Sequence, residues 1–303
     1  MLKRVLTRHL EETDPTRRCS CLPITEAEAS YQCGEACRTI EEVCDAIEAL
    51  CRARDSKCGI VIKDSFEGSG RGFIHVKPWA LRSAAAATAA AAAAAGAGGG
   101  TSGGSTAPHS RESTLLRPEQ LGAVRKILKR CPVVVERWLP MATEFSAHYM
   151  VSDTNTGEIT VGFRGCLRFS ASGLGKWVGS HARDPCYNME PRVREALFAD
   201  REHSCDAGTP LPKLRPEIRD AFERVRLELK AALRGSGYCG PLSVDAILYE
   251  TEDAEDSERR LMLKPISEIN LRENMGTLVL HLAQYVHPSK AGFYTILSAS
   301  YLM

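Results

Sequence analysis

The chain has 303 residues, with 39 Lys and Arg against 38 Asp and Glu and a formal net charge of +1. That length allows one to three domains with a sizeable core, and so even a charge balance offers no basic excess to a nucleic-acid backbone, so no nucleic-acid partner is expected. The longest uncharged run, residues 83–108, is Ala and Gly rather than Leu and Ile, so no membrane association is expected either.

The first residues are basic but lack the apolar core of a secretory signal, which points to a cytoplasmic address. Twelve cysteines are spread through the chain, and with no signal segment they read as reduced thiols rather than a disulfide framework. Residues 1–58 read as a helical, Cys-rich N-terminal region. Within it residues 39–54 predict a helix: Thr39 can cap, Glu41 and Glu42 suit the first turn, and Val43, Ile47, Leu50 and Cys51 fall at helical spacing. Cys37, Cys44, Cys51 and Cys58 recur at sevens. That spacing draws a stripe along a helix, whereas zinc ligands converge on a point, so a buried apolar stripe is expected and no metal is assigned to these cysteines.

Residues 59–135 read as a small lobe. Residues 59–63 predict a buried strand, 64–72 a glycine-rich turn and 73–76 a second strand. Residues 83–114 are an Ala-rich and then Gly/Ser-rich insertion of low complexity, and 118–131 have helical spacing. A strand over 132–140 leads into a larger lobe, 136–303. There 145–151 and 159–163 predict strands flanking a turn at 153–157, and 216–233 predicts an amphipathic helix that ends at Gly235-Ser236-Gly237. Strands over 242–249 and 261–269, joined by an acidic loop, and a helix over 276–286 complete the reading.

A glycine-rich turn between two strands lets backbone N–H groups approach phosphate oxygens, and Lys63 on the preceding strand can add a point charge. Alone this is a weak signal, since glycine-rich hairpins are common. Neither the Walker pattern nor a dinucleotide fingerprint is present. Further on, Asp245 lies on one predicted strand and Glu268 with Asn270 on another, the last two sharing a face because they are two apart. Carboxylate and amide oxygens of this kind suit magnesium held together with a substrate's phosphates. Arg272, two residues further, can reach the same face and stabilise charge on a transferred phosphoryl group.

Five segments occur in order: Lys63 with Glu67-Gly68-Ser69-Gly70-Arg71-Gly72; Glu136-Arg137-Trp138-Leu139; Glu144-Phe145-Ser146; Gly240 to Asp245; and Glu268-Ile269-Asn270-Leu271-Arg272. Together they resemble the ATP-binding elements of the ATP-grasp superfamily, as in D-alanine:D-alanine ligase and biotin carboxylase. The chain is more closely similar to an uncharacterised ATP-grasp family of microbial proteins, whose loop reads Ser-Gly-Arg-Gly and whose metal strand continues into Asn-x-Arg-x-x-Met-Gly, as Asn270 to Gly276 does here. The resemblance covers roughly residues 60–288 without the insertion.

It implies an α+β ATP-grasp fold, two α/β lobes with mainly antiparallel sheets clasping ATP. It implies that Lys63 contacts the phosphates and that Glu67, Gly68, Ser69, Gly70, Arg71 and Gly72 close over them. Glu136 would accept from the adenine amino group, with the backbone of Arg137 and Leu139 reading the ring edge and Trp138 packing nearby. Glu144 would bind the ribose hydroxyls, while Asp245, Glu268 and Asn270 would hold Mg2+, for which Mn2+ can substitute. Arg272 and Lys63 would be the catalytic cations, and residues 162–179, with Arg164, Arg168 and Lys176, would lie near the acceptor.

The implied reaction is ATP- and Mg-dependent activation of a small carboxylate as an acyl phosphate for attack by an amine or thiol. Only 59 residues precede Ile60, fewer than the additional N-terminal α/β domain usual in ATP-grasp enzymes, and Ser243 stands where some ligases carry arginine. Two readings therefore stay open: a carboxylate–amine or carboxylate–thiol ligase, and a catalytically weak or inactive nucleotide-binding regulatory module. Neither excludes a homo-oligomer.

Overall fold

The computed structural model describes residues 34–52, 59–65, 73–77, 115–153, 158–171, 177–182, 186, 188–199, 213–252, 259–287 and 290–296. The loop residues 66–72, Cys58, Lys176 and the insertion at 83–114 lie outside them. The described chain divides into two compact units at Leu139 and Pro140.

The first unit contains β1 (Glu35–Cys37), α1 (Ile40–Arg52), β2 (Gly59–Asp64), β3 (Ile74–Val76), α2 (Pro118–Leu128) and β4 (Val133–Trp138). Its strands form an antiparallel sheet in the order β1-β4-β2-β3. Helix α1 starts where the sequence places it, through a reciprocal cap: Thr39 Oγ1 accepts from the Glu42 amide at 3.2 Å, and the Glu42 carboxylate accepts from the Thr39 amide at 3.4 Å. Alternate sheet residues Ile60, Ile62, Val76, Val133 and Val135 pack with Val43, Ile47, Val124 and Ile127 of the helices. By the two-residue strand period, Val61, Lys63, His75, Glu136 and Trp138 occupy the opposite face.

One sequence expectation changes here: Cys37 lies on β1 rather than on the helix, so the cysteines form no single helical stripe, although Cys37, Cys44 and Cys51 all join the apolar core. The described residues before Gly59 pack into this unit's core. Strand β4 pairs with β2 along its whole length, from Asp64 opposite Val133 to Gly59 opposite Trp138.

The second unit contains β5 (Met141–Asp153), β6 (Ile159–Ala171), β7 (Trp177–Ala182), α3 (Pro191–Leu197), α4 (Pro216–Leu233), β8 (Gly240–Glu252), β9 (Arg259–Asn270), α5 (Met275–Ala283) and β10 (Gly292–Thr295). Its antiparallel sheet runs β10-β7-β6-β5-β8-β9. One face supplies Phe145, Ala147, Tyr149 and Val151 of β5 and Leu242, Val244, Ala246 and Leu248 of β8 to a core shared with Ile218, Phe222, Val225 and Leu229 of α4. The Tyr149 hydroxyl donates to the Phe222 carbonyl at 3.1 Å, which satisfies a buried polar atom inside that core.

Helix α4 has the predicted bounds, with Pro216 in its first turn and Gly235 beyond its end at φ 72°. Leu227 of this helix is exposed, while Leu229 and Val225 take the buried side. Of residues 162–179, 162–171 lie on β6 and 177–179 on β7, and the two strands pair antiparallel. Strands β1, β7 and β10 and helix α3 are absent from the sequence reading, and α5 begins one residue before the predicted start. No helix among the described residues is long and apolar enough to cross a membrane.

The second face of the large sheet bears α5. Val279 packs with Leu167 and Ala182, and Gly165, at φ 152°, brings the sheet close enough that an added Cβ would stand 3.0 Å from Leu280 Cδ2. This same face carries Ser146, His148, Ser243, Asp245, Glu268 and Asn270.

Candidate functional site

In the first unit, Val61 stands opposite both Glu136 and His75, and Lys63 opposite Val134, so Lys63, Glu136 and His75 share one sheet face. The Lys63 ammonium forms an ion pair with the Glu136 carboxylate, whose side chain is only 1% exposed. Lys63 Nζ also stands 5.2 Å from the Phe73 ring centroid, a cation–π distance. His75 packs edge-on against Trp138, with ring centroids 4.3 Å apart. Burial first, and the nearby Lys63 charge second, hold the His75 imidazole below its usual range. Trp138 thus packs against the His75 ring on the sheet face that carries Lys63 and Glu136. The Arg137 side chain lies on the other face and donates to the Leu50 carbonyl at 3.3 Å.

In the second unit, β5, β8 and β9 lay out rows of polar residues. Ser146 stands opposite Asp245, which stands opposite Glu268; His148 stands opposite Ser243, which stands opposite Asn270. Glu144 lies on the same face, one row away, opposite Ile247. Asn270 Nδ2 donates to Asp245 Oδ2 at 3.1 Å, and Arg272 donates to Asn270 Oδ1 at 2.9 Å. Burial pushes the Asp245 carboxyl well above the usual carboxylate range, and the charges of Glu268 and then Glu144 push it further, while Asn270 and Arg272 act in the opposite sense. Asp245 thus joins Glu268, Asn270 and Arg272, more than 20 residues further along the chain, in one cluster, with Glu144 within electrostatic reach.

Among the described residues, no group of three or more His, Cys, Asp or Glu side chains is disposed to hold a metal ion. The expected set has only two carboxylates and one amide. Two carboxylates and an amide oxygen nevertheless suit magnesium, although here Asn270 turns its nitrogen to Asp245 and its oxygen to Arg272; burial first, and then the charges of Glu268 and Glu144, raise Asp245, and a dication would relieve the repulsion.

Sequence reasoning missed the layer beneath this cluster. Asn274 caps α5, its Oδ1 accepting from the Thr277 amide at 3.0 Å, and its Nδ2 donates to Ser243 Oγ at 2.5 Å. Ser146 Oγ and His148 Nε2 are hydrogen-bonded at 2.8 Å. His148 is 3% exposed, and burial lowers its pKa to about 4. Gly276 lies directly against that ring, where a Cβ would stand 2.6 Å from Nε2. Lys264, also buried, lies opposite Ile247. The available signal was Asn274, an N-cap residue type just ahead of the apolar run Met275 to Ala283.

No protein-family model matches the chain, and no curated protein matches it. Among solved structures, it is similar to N5-carboxyaminoimidazole synthetase from Staphylococcus aureus complexed with ADP, at 12% identity and a TM-score of 0.41, over 90% of this chain and 44% of that one. It is similar to the biotin carboxylase domain of 2-oxoglutarate carboxylase from Hydrogenobacter thermophilus, in complex with MgADP, ADP and bicarbonate, at 13% identity and a TM-score of 0.43, over 92% and 40%. Biotin carboxylase from Campylobacter jejuni matches at 12% identity and a TM-score of 0.39, over 98% and 46%. The chain spans less than half the length of these solved chains. Its own two antiparallel sheets, each packed with helices, have the α+β organisation that the ATP-grasp resemblance implies.

Proposed function

We propose that the chain is an ATP-grasp protein that binds ATP with magnesium and activates a small carboxylate for attack by an amine or thiol. The observation that carries this reading is the hydrogen-bonded series Asp245–Asn270–Arg272, with Glu268 opposite Asp245 and Glu144 electrostatically coupled to it. ATP would supply the γ-phosphoryl group, with ADP leaving, that turns the carboxylate into an acyl phosphate, Mg2+ would neutralise the phosphate charge, and the amine or thiol would then displace phosphate.

The chain's own residues bind and orient. Asp245, Glu268 and Asn270 hold the metal, and Arg272 neutralises charge on the transferring phosphoryl group. Lys63, with Glu67, Gly68, Ser69, Gly70, Arg71 and Gly72, contacts the phosphates. Glu136 accepts from the adenine amino group, its carboxylate held by Lys63; the backbone of Arg137 and Leu139 reads the ring edge, and Glu144 takes the ribose. Phosphoryl transfer of this kind needs positioning and charge neutralisation, so no nucleophilic Cys or His is required.

The test is phosphate release from ATP across a panel of amino acids and other small carboxylates, each with amine and thiol acceptors. Release stimulated by one such pair supports the ligase. Nucleotide binding without stimulated release replaces it with the regulatory module.

A further inference from the structure

We propose that Ser243 and Asn274 form a clamp that positions Arg272. This inference rests on the reading of Arg272 as the phosphate-facing cation. The segment Asn270 to Asn274 turns from the end of β9 into α5, and both its ends are tied to the same strand. Asn270 is bonded to Asp245 and Asn274 to Ser243, two residues apart on β8 and on one sheet face. Arg272 is at the middle of this turn. It is exposed along with its neighbours Leu271 and Glu273, and it donates a hydrogen bond to Asn270 Oδ1.

Without the second tie, the turn would be bonded to β8 only through Asn270, a residue already committed to Asp245 and to Arg272, and its far end would be held only by the packing of α5. The tie stands on a rigid base. Ser243 is fully buried, and Gly276, two residues into the chain beyond Asn274, rests against the His148 ring. Asn274 uses its two amide atoms for two tasks, the oxygen capping α5 and the nitrogen reaching Ser243, so the helix start and the turn share one anchor. A guanidinium at the apex of a turn pinned at both ends is held in one direction, and an error of about 1 Å in such a group can cost roughly a hundredfold in rate.

Two variants remove the tie and keep the cap. Ser243→Ala deletes the acceptor, and Asn274→Ser retains a capping oxygen on a side chain too short to reach β8. In unliganded protein, amide hydrogen exchange over residues 271–277 should quicken about fivefold in each, the scale of one lost hydrogen bond, with no further gain in the double variant. In ATP turnover, each should lower kcat at least about tenfold with KM for ATP little changed, and Ser243→Ala should have almost no further effect when Arg272 is already alanine.

Exchange unchanged in both variants overturns the clamp. Faster exchange with wild-type kcat, or an equal loss in the Arg272→Ala background, overturns its role in positioning Arg272. If the wild type binds no nucleotide, it is the function proposed above that fails, and the exchange result alone decides the clamp.

Discussion

His148 makes the stability of the second unit fall in mild acid. Its imidazole is 3% exposed between Ser146 and Gly276, and burial holds its pKa at about 4, against about 6.5 when unfolded. The unfolded chain therefore takes up a proton as pH falls below about 6.5, while the folded chain resists until about 4, so stability is complete above that window and is lost through it. At about 1.4 kcal/mol per pH unit, the whole window is worth roughly 3 kcal/mol, and the step from pH 7 to pH 5 about 2 kcal/mol. With a urea m-value of about 2 kcal/mol/M for a unit of this size, the midpoint should drop by about 1 M between those pH values. The His148→Gln variant keeps a polar side chain beside Ser146 without the titration, and isolates this contribution from that of Asp245, whose raised pKa acts oppositely. Urea titrations of both proteins at pH 7 and 5 provide the comparison. An equal drop in the two proteins would refute the assignment to His148.

Further outcomes follow from the same geometry. Leu229→Ala, at a fully buried α4 position, should cost about 3 kcal/mol in denaturant unfolding, by lost transfer energy and a residual cavity. Lys63→Met breaks the ion pair to the buried Glu136 carboxylate and should cost up to about 3 kcal/mol, with much of that recovered in the Lys63→Met/Glu136→Gln double variant; thermal unfolding of all three proteins measures it. Gly276→Ala drives a methyl against the His148 ring and should destabilise by about 2 kcal/mol, read from the urea midpoint. Because Asp245 titrates above the usual carboxylate range, Mg2+ binding should release protons and weaken as pH falls, in calorimetry in buffers of different ionisation enthalpy.

Local signals carried much of the fold. Pro216 and Gly235 bracket α4, the Thr39 and Glu42 pair marks the start of α1, a short continuous apolar run marks β2, and alternating apolar residues mark β5 and β8. Strands β1, β7 and β10 escaped because they have three to six residues and acquire their pairing only through the sheet. The candidate site was legible where strand period decides it, as for Glu268 and Asn270. The Ser243–Asn274 bond joins residues 31 apart, and the Ser146–His148 pair gains its meaning from burial under α5, neither of which any local pattern encodes.

The most direct test of the central claim is titration calorimetry of ATP with Mg2+ into the wild type and into Glu268→Ala. The account predicts saturable, magnesium-dependent binding by the wild type and at least about tenfold weaker binding by the variant, the scale of one lost carboxylate ligand. Equal affinities in the two proteins, or no binding by the wild type, would contradict it.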